Sequence, residues 1–93
     1  MIYDMEAALQ DMLTPKPGWL GTFTTMEALG AWRNGTRIVK IESEDGDGQR
    51  TGSLGKVLGS IFEETKGLAY FVEWDAKPKV AVLVMAWKIT AVS

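Results

Sequence analysis

The sequence predicts a mainly β fold: a small, strongly bent five-stranded barrel preceded by an N-terminal helical extension. Two observations lead there. Residues 35–93 hold five short β-rich segments separated by glycine, proline, asparagine and aspartate turn signals. Five short strands in under 60 residues are too few for a sandwich of useful size, but they can close on themselves and so hide their edges. The first 34 residues instead carry a helical pattern of apolar residues.

In the extension (1–34), Ile2, Met5, Leu9, Met12 and Leu13 fall on one helical stripe, with Asp4, Glu6, Gln10 and Asp11 off it. Acidic residues in the first turn suit the helix dipole. The stripe packs either on the chain's own barrel or on a second subunit, and amphipathicity alone does not choose. Pro15 and Pro17 end this helix. A second short helix is expected next. Thr24 and Glu27 fit a capping box, Phe23 could staple against Ala28, and Met26, Leu29 and Trp32 mark its apolar side. Asn34-Gly35 supplies the stop.

The barrel (35–93) reads as strands over 36–41, 55–62, 68–74, 79–84 and 88–92, with a bulge or sharp bend at Gly59 and one 3₁₀ turn over 85–87. The 42–53 stretch reads as a long solvated, mobile loop. A long first loop, two tight hairpins and a 3₁₀ turn before the last strand form the order of SH3-like barrels. The segments Gly35-Thr36-Arg37-Ile38-Val39-Lys40, Gly55-Lys56-Val57-Leu58-Gly59-Ser60 and Tyr70-Phe71-Val72-Glu73-Trp74-Asp75 resemble uncharacterised small bacterial proteins of that fold, of the kind also found in mobile integron gene cassettes. The resemblance covers about two-thirds of the chain and implies a fold, not an activity. The peptide-binding SH3 motif Ala-Leu-Tyr-Asp-Tyr has no counterpart in the loop 44–49, and the trimethoprim-resistant reductase pore motif Val-Gln-Ile-Tyr is absent.

The 93 residues include neither cysteine nor histidine. That removes the Ser-His-Asp triad, the cysteine nucleophile and the ordinary zinc site. An enzyme would have to work with Asp, Glu, Lys, Tyr or Ser alone, a less favoured alternative, and the expected protein is not an enzyme and has no cofactor or metal. The segment Asp45-Gly46-Asp47-Gly48-Gln49 starts like a calcium loop, but Arg50 and Lys56 stand where its glycine and bidentate glutamate belong. The glycines of the same loop do not make a phosphate-binding loop, because Lys56 is followed by Val57. The net charge of -2 arises in the extension, which has two bases against four acids, while the barrel has eight of each. A neutral barrel makes nucleic acid an unexpected partner. The longest apolar run, 80–87, is far below a membrane span, and the acidic start is unlike a secretory signal, so a cytoplasmic location is expected.

What remains is binding. The expected function is a protein-interaction or assembly module that self-associates through the extension and the barrel, with strand four in the interface, a dimer being favoured. Met5, Leu9, Met12, Trp19 and Trp32 are its interface candidates. The alternative is a small-molecule or peptide site at Tyr70, Trp74 and Trp87. Against it stands strict alternation, which puts Tyr70, Val72 and Trp74 on one inward face with Trp87 plugging the barrel end.

Overall fold

The structure, a computed structural model, describes residues 5–92. Helix α1 (Met5–Leu13) is followed by an irregular segment and five strands. These are β1 (Arg37–Lys40), β2 (Leu54–Glu63), β3 (Gly67–Trp74), β4 (Val82–Met85) and β5 (Ile89–Ala91). A 3₁₀ turn, Ala86–Lys88, joins the last two strands. Ile2 of the expected stripe lies outside the described residues, as does the Met5 side chain.

The strands form one antiparallel sheet in the order β4-β3-β2-β1-β5. β4 does not pair with β5, so the sheet stays open and keeps two edges, contrary to the expected closure. The β2–β3 hairpin is its spine, running from Gly55↔Trp74 to Glu63↔Gly67 with a register shift between Val57 and Gly59. The expected irregularity at Gly59 is there, because two residues of β2 oppose one of β3.

Alternation along β3 sends Tyr70, Val72 and Trp74 into a core shared with Ile38, Val57, Val84 and Ile89. Ala69 and Phe71, on the opposite face, are also buried. Phe23, Thr24 and Ala28 of the N-terminal segment are buried too, so the extension is part of the packed body.

The second helix does not form; residues 22–28 are irregular, followed by bends and turns. Its backbone groups are used elsewhere. The Ser60 N–H donates to the Met26 carbonyl at 2.8 Å, and the Ser60 hydroxyl accepts the Ala28 N–H at 2.9 Å. Thr24 Oγ1 accepts from Met26 N–H, two residues on, rather than from the third residue that a capping box uses. Glu27 accepts the Asn34 N–H instead of returning to Thr24. The segment therefore straps across the edge of β2 at Ser60, where a helix would have left that strand N–H without this partner. Gly59 makes room for the strap: a β-carbon there would stand 2.8 Å from the Thr24 carbonyl carbon, and closer still to its oxygen.

The fourth strand begins at Val82, later than expected. Before it, Leu20 bridges Val80 in parallel, donating its N–H to Lys79 and accepting the Ala81 N–H. At Gly21, with φ of 82°, the extension turns away. A β-carbon at Gly21 would lie 2.8 Å from the Ala81 oxygen, so a side chain is excluded there.

Candidate functional site

The most densely connected polar group grows from β1. Alternation sends Ile38 and Lys40 inward, and both are buried. A lysine taken inside needs a countercharge. Lys40 Nζ donates to Asp47 Oδ2 at 2.9 Å and to the Gln49 carbonyl at 2.8 Å. Asp47 also accepts from Lys88 Nζ at 3.0 and 3.1 Å and from the Glu44 N–H at 2.9 Å. Lys88, at the end of the 3₁₀ turn, adds an ion pair to Glu44 at 2.9 Å. The Glu44 N–H, followed by the two ammonium groups, holds the Asp47 carboxyl far below its ordinary range. Hydrogen bonds to Glu44 and Asp47 raise the Lys88 pKa.

The 42–53 loop expected to be mobile is thus pinned at Asp47 to the sheet and to the turn before β5. Backbone bonds from Lys40 to Ser53 and from Gly52 to Lys40 close its base. Asp47 serves this loop as an anchor, and among the described residues no group of three or more acidic side chains is placed to hold a metal ion.

The pinned loop forms one wall of a cleft of about 190 Å³. Asp47, Gly48 and Gln49 line it from the loop, Val80 and β4 from the sheet edge, and Lys40, Trp74, Lys77 and Lys88 complete the lining. Drug-sized ligands occupy roughly 300–1,000 Å³, so this cleft suits one or two side chains. Its lining is apolar along β4 and carries three lysines, Lys40, Lys77 and Lys88, against one carboxylate, Asp47.

The three aromatic candidates do not share one surface. Tyr70 and Trp74 are each 2% exposed. The Tyr70 hydroxyl accepts the Trp32 N–H at 2.9 Å, and the two rings stack at 5.0 Å. Burial raises the Tyr70 pKa, opposed by that N–H. Trp74 belongs to the core, yet also lines the cleft. Trp87 is 53% exposed, with Lys88 Nζ 5.3 Å from its ring centre.

The interface candidates also divide. Leu9 is 48% exposed, while Met12 is partly buried. Leu13, from the same stripe, is 74% exposed. Trp19 packs against Phe23 at 4.9 Å and carries Lys79 Nζ at 4.8 Å from its ring. Trp32 is taken up by Tyr70. Asp11 ties the helix end to the strap: it pairs with Lys16 at 3.0 Å and accepts the Thr25 N–H. Partial burial raises the Asp11 pKa, but Thr25, Lys16 and Thr24 outweigh it and bring it down to about 2.

Sequence reasoning placed Lys40, Lys77 and Lys88 at no site and weighed Asp47 only as part of a calcium-like loop. A signal existed for the first: Ile38 and Lys40 are two apart in a β-rich run, so an inward Ile38 carries Lys40 inward too. In comparisons with protein-family models, curated proteins and solved structures, nothing matches this chain. No helix among the described residues is long and apolar enough to cross a membrane.

Proposed function

We propose that the chain is an assembly module of SH3-like barrel architecture that self-associates as a dimer through its N-terminal extension. The strand order, the bend of β2 at Gly59 and the 3₁₀ turn between β4 and β5 support the architecture. The observation that carries the function is the setting of α1. Ala8 is fully buried, while Leu9 and Leu13 of the same helix stay exposed. Leu20 and Leu29 of the extension are exposed as well.

Covering a leucine side chain fully is worth about 1.5–3 kcal/mol. A two-fold contact uses each leucine twice, and a stable interface covers roughly 1,200–2,000 Å² in total. The test is sedimentation equilibrium of the full chain and of a Leu9→Glu, Leu13→Glu double variant. The dimer is expected at tens of micromolar for the first and a folded monomer for the second, its far-ultraviolet circular dichroism unchanged. A parent chain that stays monomeric at about 1 mM, where even weak pairs assemble, overturns the reading.

A further inference from the structure

We infer that the outer edge of β4 is a strand-addition site for an acidic, extended peptide, a binding event separate from self-association through the extension.

The argument starts from backbone parity. Successive residues of a strand send their N–H and C=O groups alternately to either side. Ser60 directs its N–H away from β3, to Met26. Its partner Tyr70 therefore directs its own groups toward β4, where it meets Val84. Val84 faces β3, and Leu83 faces outward. The other end of the strand agrees: Ala81 gives its N–H outward to Leu20, and Leu83 is two residues further on.

Among the described residues, the chain itself occupies this edge only at Leu20 and leaves it at Gly21. Beyond that point, among the described residues, the outward N–H and C=O of Leu83 take no hydrogen-bond partner. Leu83 is 51% exposed. The cleft runs beside these groups, so a strand added here would lie between β4 and the pinned loop. It would gain main-chain hydrogen bonds from Leu83 and set alternate side chains against Val82, Val84 and Trp74.

Charge selects the occupant. Three lysines, Lys40, Lys77 and Lys88, line the cleft against the single carboxylate of Asp47. Counting Glu44, paired to Lys88, still leaves an excess cation. Asp47 is engaged by Lys40 and Lys88, whereas the Lys77 ammonium makes no ion pair among the described residues. A peptide alternating carboxylates with small apolar residues matches both the rim and the walls, and a second basic edge of this kind does not.

The experiment is amide NMR of the full chain with an end-blocked hexapeptide of alternating glutamate and valine, beside its lysine–valine counterpart. The acidic peptide should shift the Leu83 amide and slow its hydrogen exchange at least about tenfold, as a buried hydrogen bond does. Lys77→Glu, on an exposed side chain, should weaken binding about three- to tenfold, the range of a partly screened charge pair. Leu83→Pro removes the outward donor while leaving the bonds to β3, and should abolish binding. Should that variant misfold, the exchange and Lys77 results decide alone. No shift at Leu83, equal binding of the lysine peptide, or a Leu83 amide already protected in the free chain each overturns the proposal. The last of these outcomes would mean that a second copy or a terminal residue fills the edge.

Discussion

The carbonyl of Thr24 lies directly against Gly59, with no room for even one methyl group between them. This contact is where the strap crosses the spine of the sheet. Its neighbours Ser60, Met26 and Ala28 fasten the crossing with two hydrogen bonds. Gly59→Ala should therefore lift the strap and destabilise the fold by about 2–4 kcal/mol, at or above the usual range for overpacking. Urea denaturation measures this. Gly48→Ala, with nothing within 4 Å of the added carbon, should stay within about 0.5 kcal/mol of the parent. Equal effects at both positions would refute the steric account.

Tyr70→Phe keeps the stack on Trp32 but removes the oxygen that accepts the Trp32 N–H. An orphaned amide at a partly buried site should cost about 1–2 kcal/mol. The Trp32 ring should stay packed, so fluorescence should change little while the denaturation midpoint falls. A midpoint equal to the parent's would show that water takes over the amide at no cost.

Asp47→Asn removes the charge that two lysines share. The loop then loses its anchor while its backbone base remains. Limited proteolysis should become faster within 42–53, and hydrogen exchange should rise there before it rises in the β2–β3 hairpin. Unchanged cleavage would mean that the backbone bonds alone hold the loop.

The pH response has a defined sign. Asp11 titrates at about 2 when folded against 3.8 as its ordinary value, and Asp47 is depressed in the same direction. The unfolded chain thus binds protons that the folded chain does not. Stability from these carboxylates is full above about pH 4–5 and is lost as the pH falls toward 2 and below. On the alkaline side, the raised Lys88 contributes stability present below its ordinary 10.5 and lost as pH rises through its folded value. Thermal melts from pH 2 to 7 check the acid limb, and Asp47→Asn should flatten it. A melt temperature independent of pH below 4 would count against the pairing.

Most of the sheet was legible because its signals are local. Alternation placed Tyr70, Val72 and Trp74 inward, and Gly59 marked the bend. The second helix was misread for a nonlocal reason. Thr24 and Glu27 have the spacing of a capping box, but Ser60 and Tyr70 claim the backbone of that segment from over 30 residues away. The polar network was missed because composition made the loop look fully wet, whereas Lys40, Asp47 and Lys88 meet only after β1 and β5 pair. Leu9 and Leu13 show the opposite limit. Their spacing marks an apolar helix face, but only the fold shows that Ala8 is buried while they stay exposed.

The strap also bears on the order of events during synthesis. Ala28 and Trp32 leave the ribosome before Ser60 and Tyr70 exist, so the acceptors of their amides are made later. The first third of the chain has to wait, hydrated and unplaced, until the β2–β3 hairpin closes through its own short turn. Local hairpins form quickly and distant contacts slowly. A stalled nascent chain ending within β2 should therefore leave Trp32 quenchable from solvent, and one ending beyond β5 should shield it.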